Sequence, residues 1–140
     1  MNGRTIVRAI VAVAMVGIGV LHFTSPAGFV KIVPPWLPAP LLLVYVSGFF
    51  EIALGAALLP AKTRKLAGAG LVALYVAVFP ANIHMALHRV QIDEGAPIPV
   101  WAMWARLPLQ LVFVAAALYA SELWPRVRPA LAAASGRRAA

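Results

Sequence analysis

The sequence contains no cysteine. Disulfides, thiolate metal centres, Cys-ligated iron–sulfur clusters and thiol redox relays are therefore excluded within the chain. Acidic residues are scarce: four Asp and Glu stand against twelve Lys and Arg, a net charge of +8. Charge of either sign is thin, at 11% of residues, where a soluble domain carries about 25%. No P-loop, dinucleotide fingerprint, nucleophile elbow or zinc-protease helix occurs, so the reactions those motifs support have no anchor here. No internal repeat is visible.

What fills the 140 residues instead is hydrocarbon: 63% are hydrophobic and the mean hydropathy is +0.89. The apolar residues gather in long runs rather than at the spacing of half-buried surface elements. That pattern predicts an all-α integral membrane protein, a four-helix up-down bundle with a short interfacial helix after the first span. The basic excess then reads as span flanks, and no nucleic-acid partner is expected.

The first span is expected over 6–23. Arg4, Arg8 and the apolar run imitate a secretory signal, but no A-x-A site follows His22-Phe23-Thr24-Ser25-Pro26, so the span is expected to be retained. Ala14 and Gly17 share a face that would admit a neighbouring helix. Ser25 is the expected N-cap of a short helix over 26–32, with Pro26 in its first turn and Pro34-Pro35 stopping it. Phe29 and Trp36 suit a headgroup layer. Further spans are expected over 41–59, 66–87 and 100–123. In the third, Ala69, Ala73, Ala77 and Ala81 form a packing ridge interrupted by Pro80. In the fourth, Pro108 is either a kink or a first-turn proline. These elements make one unit over 1–124. From Pro125 the tail is mostly Pro, Ala, Arg and Gly and is expected to be disordered. Nine of the twelve basic residues (Arg4, Arg8, Lys62, Arg64, Lys65, Arg126, Arg128, Arg137 and Arg138) fall on one side of such a topology. The positive-inside rule then places both termini in the cytoplasm of a multi-pass inner-membrane protein.

Glu51 lies ten residues into the second run, about 15 Å deep and near mid-membrane. A lone charge there costs about 2.5–3.5 kcal/mol on insertion scales. Ser47, Gly48 and Gly55 share its helix face. Depth counting brings His22, Ser47, Glu51, Asn82, His84, Arg106 and Gln110 into the outer half, as a candidate polar pocket. Arg106 is the expected partner of Glu51, because a guanidinium matches a carboxylate bidentately. Two readings stay open: a structural network that fixes helix register, or a proton-handling or quinone-facing site. His84 and His88 are four apart, and His22 could add a third nitrogen. With no Glu between them and no cysteine, no metal site is assigned.

Four blocks in order resemble the DoxX family of small four-helix membrane proteins, closest to its uncharacterised DoxX-like branch. They are His22-Phe23 with Pro26, Phe29 and Ile32-Val33-Pro34-Pro35-Trp36-Leu37-Pro38; Ser47-Gly48 through Glu51; Phe79-Pro80-Ala81-Asn82-Ile83; and Arg106-Leu107-Pro108-Leu109-Gln110. The family takes its name from a small subunit of an archaeal thiosulfate:quinone oxidoreductase, and some members are linked to oxidoreductase or oxidative-stress complexes. The resemblance implies a small membrane subunit of a redox or quinone-linked assembly, with a membrane or soluble oxidoreductase as partner beside the lipid bilayer. It supplies no catalytic residue set. No cofactor is demanded by the sequence, though the polar set admits a quinone. A small-solute transporter, a non-catalytic scaffold or assembly factor, and a homo-oligomer are admitted as well.

Overall fold

The computed structural model describes residues 2–124. Among them there are five helices and no strand: α1 Gly3–Thr24, α2 Pro26–Ile32, α3 Pro40–Ala57, α4 Arg64–His88 and α5 Val100–Ala120. All but α2 are long and apolar enough to cross a membrane. The tail over 125–140, expected to be disordered, lies outside the described residues.

Local chemistry explains the helix ends. The Asn2 side chain accepts a hydrogen bond from the Thr5 backbone N–H at 2.9 Å and caps α1, so the helix starts ahead of its apolar run. Ser25 stands at the N-cap of α2 as expected, but its side chain makes no cap bond, and Pro26 sets the first turn. α3 stops at Ala57, short of the apolar run's end, as the chain turns toward Pro60. α4 runs through Pro80 without ending and closes on Arg89, whose φ of 52° is left-handed. Pro108 is interior to α5, nine residues along, so it is not a first-turn proline.

The long helices pack pairwise, α1 on α3, α3 on α4, α4 on α5 and α5 back on α1. α1 and α3 are antiparallel and almost touch. A Cβ on Gly48 would lie 2.6 Å from the His22 Cβ, and one on Gly19 would lie 2.7 Å from the Gly48 carbonyl oxygen. Two expected packing faces are therefore corrected. α1 buries Ala12, Met15, Gly19 and His22, while Ala14 and Gly17 are exposed and no atom would meet a Cβ on Gly17. α4 buries Ala67, Gly68, Leu71 and Tyr75, whereas of the expected ridge Ala69, Ala73 and Ala77 are exposed and Ala81 packs against a core. Small residues four apart do share a helix face, but spacing does not say which small face meets protein.

Apolar contacts form two cores. One joins Met15, Leu58, Leu71, Tyr75, Ala117 and Ala120; the other joins Ile32, Met85, Ala86 and Met103. Large apolar side chains also cover the outside of every long helix. Val13 is 73% exposed, Leu66 77% and Leu111 72%, and Leu42 and Phe49 are each 60% exposed. Apolar area left in water forgoes roughly 25 cal/mol per Å². Surfaces of this kind suit contact with a lipid bilayer.

Candidate functional site

A cavity of about 980 Å³ lies between the helices. His22, Ser47, Glu51, Asn82, Arg106 and Gln110 line it, and the rest of its wall is largely aliphatic and aromatic. Six of the seven residues expected to form a polar pocket are thus brought to one space. His84 is not. Its Nδ1 lies 3.1 Å from the Ile32 carbonyl oxygen, and its ring stacks obliquely on His88 with centroids 4.6 Å apart. His22 is on another wall, stacked on Phe29 at 3.9 Å between centroids. The three histidines do not gather around one point: no group of three His, Cys, Asp or Glu suited to a metal ion occurs among the described residues.

The α1–α3 wall carries the acid. Glu51 is 7% exposed, and its Oε2 lies 3.1 Å from Nδ1 of His22. That nitrogen is also 2.9 Å from the Ile18 carbonyl oxygen. A single Nδ1–H that donates to the carbonyl leaves Glu51 Oε2 buried without a hydrogen-bond donor. The close approach of Gly19 and Gly48 brings the two side chains to this distance. Ser47 turns away from the acid and donates to the Val44 carbonyl at 2.9 Å.

The α4–α5 wall carries the amides and the cation. Asn82 Nδ2 donates to Gln110 Oε1 at 2.8 Å, and Gln110 Nε2 donates to the Tyr75 carbonyl. That carbonyl adjoins the one at Val76 which Pro80 leaves without its helical N–H partner. The expected Glu51–Arg106 pair does not form, since Glu51 has His22 beside it and Arg106 Nη1 donates to the Met85 sulfur at 3.2 Å. The two residues belong to different walls, and a count along each helix gives a side chain's height but not the side it faces. Arg106 also lines a smaller recess of about 460 Å³, with Asp93 and Trp101.

Sequence reasoning missed two contributors. Tyr75 lines the cavity and donates its hydroxyl to the Met15 sulfur at 3.1 Å. Its position seven residues before Asn82 was the available signal, since the two lie two turns apart on one face. Phe29, whose aromatic ring suits a headgroup layer, reaches the cavity from α2.

The fold and cavity define a class: an all-helical chain with four helices of membrane-spanning length around an internal, partly polar space. The chain belongs to the family described as Domain of unknown function (DUF8561), matched over residues 11–121. This overturns the resemblance to DoxX. The blocks that carried that resemblance are a Pro-Pro-Trp turn, small residues beside an acid in an apolar helix, and prolines beside amides. Those are general solutions to packing polar groups in helical membrane proteins, so such short blocks do not separate families. No curated protein matches the chain, and no solved structure matches it.

Proposed function

We propose that the protein is a multi-pass inner-membrane four-helix bundle, with cytoplasmic termini and α2 at the outer interface, that binds an amphipathic small molecule in its central cavity. A quinone is the ligand class that fits best, which makes the chain the membrane subunit of a redox assembly. The observation that carries this reading is the cavity itself, about 980 Å³ with polar groups on two facing walls. Ligand sites typically span about 300–1,000 Å³ and are mostly apolar with a few placed polar groups. A quinone head presents two carbonyl acceptors on an apolar ring. Arg106 and Asn82 offer N–H donors on one wall, and the Glu51–His22 pair supplies a proton site on the other. Reduction to quinol takes two electrons, which a partner oxidoreductase would deliver, and two protons, which the Glu51 wall is placed to pass.

The test is a gentle extraction followed by mass spectrometry of bound lipids, then titration of the delipidated protein with a short-chain quinone. Stoichiometric quinone and saturable binding are expected. Glu51→Gln should assemble normally yet bind about tenfold more weakly, the loss of one charge-assisted contact. Wild-type protein that holds no quinone and shows no saturation would sink the reading. One observation favours a transporter instead, because Arg106, Ile92 and Leu109 border both the cavity and the smaller recess and so outline a path. Solute uptake into proteoliposomes, abolished in Arg106→Gln, would establish it.

A further inference from the structure

The far end of the molecule carries a second polar cluster that the cavity does not use. Arg8 from α1 is only 8% exposed. Its Nε donates to the Ala120 carbonyl at 2.9 Å and its Nη2 to Glu122 Oε1 at 3.0 Å. Arg64, at the start of α4, donates from Nη1 to the same Glu122 oxygen at 2.7 Å and from Nη2 to the Leu59 carbonyl at 3.1 Å. Arg4 lies one helical turn before Arg8, with its guanidinium carbon 5.0 Å from the centre of the Tyr119 ring. Among the described residues Arg4 donates no hydrogen bond to protein, and the Nε atoms of Arg4 and Arg64 are both buried without a partner. Three guanidinium charges against one carboxylate leave 3 − 1 = +2 at this point. Lys62 and Lys65 are exposed beside it and raise the local potential.

Among the described residues the cluster is thus short of acceptors as well as of negative charge. Five N–H groups on each guanidinium offer far more donors than one carboxylate and two carbonyls can take. The missing component is an anion with several acceptor oxygens. A phosphate supplies them, and a guanidinium fork matches it in two-point geometry. The position selects the source. Arg4, Arg64 and Glu122 lie at the ends of helices whose lengths match a bilayer's hydrocarbon layer, which is the level of lipid headgroups.

We propose that Arg4, Arg8 and Arg64 form a binding site for the phosphate of an anionic phospholipid, with Glu122 holding Arg8 and Arg64 in place. A lipid with net negative charge is retained there, and a zwitterionic one is held less well because its own ammonium opposes the cluster. This site is independent of the cavity and of whatever the cavity binds.

The test is native mass spectrometry and thermal shift on the detergent-solubilised full chain, with phosphatidylglycerol, phosphatidylcholine or sodium phosphate added. Phosphatidylglycerol is expected to bind at least about fivefold more tightly than phosphatidylcholine, and Arg4→Gln is expected to remove about fivefold of its affinity. Arg4 is the residue to change because the Glu122 bonds to Arg8 and Arg64 do not depend on it, so the variant should melt as the wild type does without lipid. Lys31→Gln, in the exposed pair with Glu94, should leave lipid binding unchanged. Equal binding of the two lipids, or phosphatidylglycerol binding indifferent to Arg4→Gln, would overturn the proposal. Sodium phosphate that protects as strongly as phosphatidylglycerol at equal concentration would overturn the lipid assignment in favour of a soluble phosphate.

Discussion

At the scale of single residues, Gly48 is a tightly constrained point beside the cavity's acid. A methyl group there would press on the His22 Cβ at 2.6 Å and on the Gly19 carbonyl oxygen at 3.0 Å. Neither atom is the free end of a flexible side chain, so α1 and α3 would have to part. Gly48→Ala is therefore expected to cost about 1–3 kcal/mol, the usual toll of overpacking, read as a lower melting temperature in detergent. It should also separate His22 from Glu51, so a cavity ligand should weaken even where the protein stays folded. Gly17→Ala is the matched control. Nothing lies within 4 Å of its added methyl, and a helix-favouring residue replaces glycine at an exposed position. Its melting temperature should hold or rise.

At the scale of elements, α4 and α5 are joined by one chain of hydrogen bonds: Asn82 to Gln110, then Gln110 to the Tyr75 carbonyl. Gln110→Leu leaves the Asn82 amide short of its acceptor. The expected loss is about 1–3 kcal/mol, the cost of a buried polar group left unpaired. Adding Asn82→Leu should recover part of that loss, because both partners are then apolar. A double-mutant cycle of thermal unfolding checks this, and strictly additive losses would show that the amides do not act together. The helices themselves were legible in the sequence because length, apolar runs and proline positions speak directly. Their lateral faces were not. The alanines of α4 announce a smooth face, yet the buried stripe is Ala67, Gly68, Leu71 and Tyr75. Hydrocarbon on the lipid side and hydrocarbon on the protein side look alike in sequence. The heights of Glu51 and Arg106 along their helices could be counted, whereas their angular separation around the helix ring could not. That is why they were expected to pair, and why His22 was not foreseen as the neighbour of Glu51.

At the scale of the whole molecule, Glu122 gathers α1, α4 and the end of α5 on one oxygen. It does so from a left-handed backbone, at φ 66°, a conformation that disfavours any residue with a side chain. The hydrogen bond from Arg64, with the nearby charges of Arg64, Arg8 and Arg4, holds its carboxyl below the usual glutamate value in spite of some desolvation. A carboxyl lowered in this way binds fewer protons folded than unfolded. It contributes stability above its unfolded value, about 4.3, and that contribution is lost as pH falls through the lower folded value. Melting temperatures of wild type and Glu122→Gln should therefore differ most at neutral pH and converge in acid. A gap that stayed constant down to pH 3 would show that the carboxylate charge is not what joins the helices. Glu122→Gly relieves the backbone but not the lost charge, so it should recover only part of the deficit.

The Arg8–Glu122 bond spans 114 positions of sequence, and this sets an order of events at the ribosome. α1 is made before α5, and Arg8 on it has no Glu122 to meet while the intervening helices are synthesised. Its partner is synthesised only after α5 is complete. Until then α1 carries a guanidinium that is costly to bury without its partner. Arrival of Glu122 closes the ring of helices from the end of α5 back to α1, so this closure is gated by synthesis of the residues that follow α5 rather than by insertion of any one helix.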